Sequence, residues 1–154
     1  MKVGKPSASA WQTVGNSTQP VLSAIFVNAN SWETGKLVMA SIEDLGVKAD
    51  LFMLAETKLG VSQLANADSF SGRRGFKHHG SSAIGITSEA GKSGGVSVLS
   101  YKKYAAKRLQ GLPGSQSRFV GSLVSVGGLK VVFGSVYLRP AVGILGAGDG
   151  RFSG

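Results

Sequence analysis

Apolar residues crowd into short runs along this chain, separated by polar stretches of very different lengths. Val21 to Asn28 gathers Val21, Leu22, Ile25, Phe26 and Val27 in one run of strand length, which predicts a buried strand. Asn30 and Ser31 follow as candidate helix caps, and Asn30 with Glu33 has capping-box spacing, with Asn in place of Ser or Thr. The next residues predict a helix carrying Leu37, Val38, Ser41, Ile42 and Leu45 on one stripe, stopped by Gly46. Asp50 to Ala55 is a second short apolar run, again a strand. Strand, helix and strand fit within roughly thirty residues, the size of a βαβ crossover. Such a crossover makes its strands parallel, so their carboxyl ends open at one edge of the sheet. Asn28 closes the first strand and Glu56 follows the second. Two polar residues distant in sequence are thereby set side by side where open α/β sheets bind ligands.

Beyond Glu56 the pattern loosens. Residues 60–93 read as loop, with Gly72-Arg73-Arg74-Gly75 and Gly80-Ser81-Ser82 as turn material. Gly94 to Leu99 reads as a strand with alternating Val96 and Val98. Phe119 to Val126 and Leu129 to Leu138 are two more, joined by Gly127-Gly128, a two-residue hairpin turn that tolerates positive φ. The second part therefore reads as antiparallel. Residues 1–19 are polar and read as a disordered lead-in. Residues 141–154 are half glycine and alanine, without a pattern that predicts structure.

Composition narrows the function. The chain has 154 residues, enough for one domain with a core, and 23 of them are glycine, which suits short strands and tight turns. It has no cysteine, which excludes disulfide partners, thiolate metal sites and a cysteine nucleophile. No apolar stretch follows the start, so no signal peptide is read, and no run reaches the ~20 residues of a membrane span. An intracellular protein, of nucleus or cytoplasm, is expected. Asn16-Ser17-Thr18 matches a glycosylation triplet and is read as chance in that setting. The net charge of +9 is uneven: residues 1–70 carry −1 and residues 71–154 carry +10. A basic half favours a polyanionic partner, nucleic acid and DNA above all. A solvated basic surface is the alternative.

Four segments add specificity. Val27-Asn28-Ala29-Asn30 closes the first strand, and Leu54-Ala55-Glu56-Thr57-Lys58 closes the second. Gly94-Gly95-Val96-Ser97-Val98-Leu99 opens a later strand, and Ser135-Val136-Tyr137-Leu138-Arg139-Pro140 closes the last. In order and spacing they resemble the motifs of the endonuclease/exonuclease/phosphatase superfamily, in the flavour of LINE-type retrotransposon endonucleases and apurinic endonucleases. The resemblance covers residues 21–140. It implies an α+β fold, the amino-terminal part of a four-layer αββα sandwich over residues 20–140, with a βαβ start followed by antiparallel strands. It implies Mg²⁺, with Mn²⁺ as a substitute, and hydrolysis of nucleic-acid phosphodiester bonds. Glu56 would be the metal ligand, as a hard ion requires. Asn28 would hydrogen-bond the phosphate or a partner carboxylate, and Tyr137 would donate to the scissile phosphate. Asn30 and Lys58 would help bind substrate.

Two family motifs are missing: a later Asp-X-Asn and a final Asp-His pair. Gly148-Asp149-Gly150-Arg151 starts like the first of these but lacks its asparagine. The expectation is an incomplete domain of low or no turnover, since general acid–base groups are lacking. His78 and His79 read as a surface or loop pair; neighbours on a strand point to opposite faces and do not share one metal. Gly91-Lys92-Ser93 is similar to the end of a phosphate-binding loop but precedes a strand where a helix is needed. Two other readings remain: a non-catalytic nucleic-acid-binding relic, and a phosphoesterase of the same superfamily acting on a small phosphoester.

Overall fold

The computed structural model describes residues 11–14, 17–87, 91–109 and 118–138. Part of the lead-in read as disordered is a hairpin of β1 (Trp11–Val14) and β2 (Ser17–Pro20), paired antiparallel from Trp11↔Pro20 to Val14↔Ser17. It holds one Trp, one Val and two Thr, residues that favour strands. The Gly-rich tail from residue 141, Gly148 to Arg151, Arg139 and Pro140 lie outside the described residues.

The crossover forms as the pattern dictates. β3 (Ala24–Asn28) leads into α1 (Trp32–Asp44) and then β4 (Leu51–Ala55), and β3 and β4 pair in parallel from Ala24↔Leu51 to Asn28↔Ala55. Ser31, not Asn30, caps α1: its hydroxyl oxygen accepts from the Thr34 amide at 3.1 Å. At the other end Gly46 takes φ 73, the Gly46 amide donates to Glu43 O and the Val47 amide to Ile42 O. This paired pattern satisfies two carbonyls that the helix leaves open.

The buried stripe of α1 is rotated from the one the sequence suggests. Trp32, Gly35 and Met39 face inward, whereas Leu37 and Leu45 are 68% and 75% exposed. Gly35 decides the rotation. A Cβ there would stand 3.0 Å from a methyl of Leu54, so the helix seats its bare backbone against β4.

The stretch 60–93, expected as loop, is largely ordered. A short 3₁₀ turn (Val61–Gln63) runs into α2 (Leu64–Arg73), followed by β5 (Phe76–Thr87). β6 (Gly91–Tyr101) includes Gly91-Lys92-Ser93 in its strand, so no helix opens there. The first sheet has the order β3-β4-β6-β5. β7 (Lys107–Leu109), β8 (Phe119–Val126) and β9 (Leu129–Val136) form a second, antiparallel sheet. Gly127 and Gly128 turn β8 into β9 with φ 53 and 81, as their sequence predicts.

Alternation on the central strands creates two cores. Phe52 and Leu54 of β4 and Leu99 of β6 pack beneath Trp32, Met39 and Ala67 of the helices. Leu51, Ala55, Val96 and Val98 point the other way, onto Val120, Val124 and Val126 of β8. A strand buried on both faces explains why Leu-Phe-Met-Leu-Ala is unbroken by polar residues. The result is three layers, helices on sheet on sheet, within an α+β fold. The outer face of the second sheet keeps Val132 and Val136 more than two-fifths exposed. On that face the Phe119 ring lies over Gly121 and Gly134, where a Cβ would come within 3.2 and 2.8 Å of it.

Candidate functional site

The carboxyl ends of β3 and β4 converge as the crossover requires. Asn28 is in register with Ala55, and the Ala29 amide extends the ladder by donating to Ala55 O at 2.9 Å. Asn28 therefore stands one position from Glu56. Past that point the backbone leaves the strand geometry abruptly. Asn30, Glu56 and Lys58 have φ of 59, 57 and 55, in the left-handed region. Among the described residues only Ala105 shares that conformation without being glycine. Each such residue costs about 1 kcal/mol. Strain of this kind persists where the surroundings enforce it, and it gathers at functional sites.

The surroundings that enforce it come from β6. The Thr57 amide donates to Gly95 O at 2.9 Å and the Lys58 amide to Gly94 O at 3.0 Å. Gly94 and Gly95 themselves have φ of 80 and 79. A Cβ on Gly95 would lie 2.8 Å from the Thr57 hydroxyl and 3.1 Å from the Lys58 amide nitrogen. Only glycine admits this approach. Thr57 is 1% exposed, and its hydroxyl has no hydrogen-bond partner within the described structure. The loop is thus pinned from below while Glu56 and Lys58 rise from it.

Three of the five expected residues meet directly. The Lys58 ammonium donates to Asn30 Oδ1 at 2.9 Å and lies 3.9 Å from Glu56 Oε1. The Glu56 side chain is 21% exposed and that of Lys58 37%, so the cluster is open to solvent from one side. Tyr137 reaches the same end by another route. Ser135 donates to Leu54 O at 2.8 Å across the sandwich, and two residues on the Tyr137 hydroxyl lies 3.4 Å from Ser93 Oγ. Its amide donates to Arg118 O, which fixes the strand end. Asn28 is one register position from Glu56, and Tyr137 contacts Ser93, the residue before Gly94; among the described residues neither side chain bonds directly to the three.

The histidines are elsewhere, and not on the surface as the sequence suggested. They do point to opposite faces of β5, but both faces are covered. His78 faces the helices: Nδ1 is 2.7 Å from Asp68 Oδ1, Nε2 is 2.8 Å from Ser97 Oγ, and its ring leans on Trp32. His79 faces the second sheet, with Nδ1 2.6 Å from Ser122 Oγ. Burial pushes both pKa values below the ordinary histidine range, His79 to about 4, where the Lys77 and Arg108 charges add to the effect. Asp68, His78 and Ser97 stand in the order of a nucleophilic triad, yet Ser97 is fully buried, so it presents no nucleophile to a substrate. The signal missed in the sequence was the polar partner set, Ser97 and Ser122, spaced to receive the two rings.

Two lysines of the basic half, Lys102 and Lys103, stand away from Glu56. β6 runs antiparallel to β4, so Lys102 and Lys103 follow it at the far end of the sheet. There Lys102 donates to Gly72 O, and Arg74 pairs with Glu43 at 2.9 Å. Nearer the cluster, Trp32, Lys36, Asn66, Phe70 and Arg73 line a polar groove of about 300 Å³ between α1 and α2. Among the described residues no helix is long and apolar enough to cross a membrane, and no three His, Cys, Asp or Glu side chains cluster in a metal-holding arrangement; a magnesium site with fewer protein carboxylates would not need one.

No protein-family model matches the sequence, and no curated protein matches it. Among solved structures, the AP endonuclease LMAP from Leishmania major is similar, with a TM-score of 0.52 at 15% identity. The likeness covers 84% of this chain and 44% of that one, so this chain spans less than half the length of its structural neighbour. At such identity the likeness shows the fold: this chain has the fold of part of an AP endonuclease.

Proposed function

We propose that this chain carries part of a magnesium-dependent site for hydrolysing nucleic-acid phosphodiester bonds, with DNA as the polyanion it meets. The observation that carries this is the strained cluster of Asn30, Glu56 and Lys58 at the carboxyl ends of two parallel strands. Strained residues of this kind gather at functional sites, and this edge is where such sheets bind ligands. The fold shared with an AP endonuclease points the same way.

The donors present fit magnesium. Glu56 offers carboxylate oxygen, and Asn28 and Asn30 offer amide oxygen, all hard ligands. With one carboxylate, the ion would rely on water and a substrate phosphate oxygen for the rest of its shell, as magnesium commonly does. Bound there it would polarise the phosphoryl oxygen and stabilise the leaving oxyanion. Asn28 and Tyr137 would hydrogen-bond the phosphate from either side, while Asn30 and Lys58 steer the backbone. An endonuclease of the apurinic or LINE type is the finer form of this reading.

Turnover should be slow. The chain's two histidines are both locked in the core, which leaves no imidazole to activate water beside Glu56. This favours a second reading, a nucleic-acid-binding domain without catalysis. Nicking of supercoiled plasmid with added Mg²⁺, run beside Glu56→Ala, separates the two. Slow nicking that needs both Mg²⁺ and Glu56 supports the hydrolase. Salt-sensitive DNA binding with no nicking, unchanged in Glu56→Ala, supports the binder and sinks the hydrolase.

A further inference from the structure

The charges at the site cancel. Asn28 and Asn30 are neutral, Glu56 carries −1 and Lys58 carries +1. A divalent cation is drawn to a site by net negative charge, and here there is none to draw it. The reason is geometric. The Lys58 ammonium already holds one oxygen that a cation would seek and stands close to the other, donating to Asn30 Oδ1 at 2.9 Å and lying 3.9 Å from Glu56 Oε1. A lysine ammonium is a compact point charge on a flexible stem, so it substitutes for a small ion and also withdraws easily. Its backbone is the least free part of the residue: φ is 55, and the amide is held by Gly94 O. The left-handed turn at Glu56 and Lys58 therefore aims both side chains at one point.

We propose that Lys58 is a resident counter-cation, whose ammonium holds the position between Asn30 and Glu56 until a divalent ion displaces it. This rests on the reading of Glu56 as the metal ligand. Two consequences follow from charge alone. In the free protein the divalent ion binds weakly, because it must expel a like charge. A phosphate changes the balance: it offers the displaced ammonium a new partner and lends the ion its own oxygen. Metal and phosphate then bind cooperatively, each strengthening the other by the same factor. Lys58 is a positioning residue in this scheme, gating the ion by occupying its place.

Mn²⁺ titration followed by electron paramagnetic resonance tests this without relying on activity. The chain is compared with Lys58→Met, Lys58→Arg and Lys58→Gly, each alone and combined with Glu56→Gln. Lys58→Gly tolerates the left-handed backbone, so it guards against misfolding of the methionine variant. The expected result is Mn²⁺ affinity roughly tenfold higher in Lys58→Met and Lys58→Gly, the scale on which groups around metal ligands act. Lys58→Arg should stay at the level of the unaltered chain, and Glu56→Gln should abolish binding in every background. If Glu56-dependent binding is present but no tighter, or weaker, without the lysine, the counter-cation idea is overturned and the metal site stands. If no variant shows Glu56-dependent binding, the metal reading itself falls and takes this inference with it.

Discussion

Lowering the pH from 7 to 5 charges His79 in the unfolded chain but not in the folded one. The residue is 6% exposed, its Nδ1 is 2.6 Å from the Ser122 hydroxyl, and burial holds its pKa near 4 against 6.5 in the open chain. Above pH 6.5 neither state carries the proton and stability is complete. As pH falls toward 4 the unfolded chain takes the proton alone, so stability drains away. At 1.36 kcal/mol per pKa unit, the loss through His79 between pH 7 and 5 is about 2 kcal/mol. His78, also shifted down, adds to it in the same direction. Urea unfolding followed by tryptophan fluorescence measures the effect; Trp32 lies against the His78 ring, 5.6 Å between centroids. The midpoint should move down by roughly 1 M urea on account of His79. His79→Asn keeps a polar partner for Ser122 and removes the titration. Its acid loss should be smaller than that of the unaltered chain by about 2 kcal/mol. If His79→Asn weakens as steeply as the unaltered chain between pH 7 and 5, the buried-histidine account is wrong.

Two further outcomes test the scaffold of the site. Gly95→Ala combines a φ of 79 with a contact 2.8 Å from Thr57 Oγ1. Thermal unfolding should show it costing about 2–4 kcal/mol, whereas Gly128→Ala, with a similar φ of 81 but open space, should cost about 1 kcal/mol; equal losses would mean the clamp on the Thr57 loop is not tight. Ser31→Ala should lose about 1 kcal/mol as a helix cap, while Asn30→Gly should change stability by under about 0.5 kcal/mol; the reverse order in denaturant unfolding would return the cap to Asn30.

The parts of the fold that were legible in the sequence are those whose cause is local. β3, α1 and β4 each carry their own pattern and their own stop, Gly46 among them. The glycine pair at 127–128 declares its hairpin by conformational need. α2 does not declare itself, because Leu-Ala-Asn-Ala-Asp-Ser-Phe-Ser-Gly-Arg is a poor helix former by propensity. It is held by tertiary contacts: Ala67 in the core, and Asp68 on His78. The face of α1 was misjudged because a glycine, which shows no hydrophobicity, is what touches the sheet. At the site, the placing of Asn28 one register position from Glu56 follows from strand parallelism and could be read in advance. The left-handed turn and the Lys58–Asn30 bond could not, because β6 imposes them from forty residues away in the sequence.

β9 pairs with β8 on one side, and among the described residues no strand takes its other side. Eight residues long, it carries one charged side chain, Lys130. An open flank of main-chain donors and acceptors is a template for any extended peptide. At this edge, Lys130 and the general positive charge of the chain are what oppose pairing between copies. Salt weakens that repulsion while leaving the flank untouched. Copies of this chain then zip together, strand to strand, more readily as the ionic strength rises.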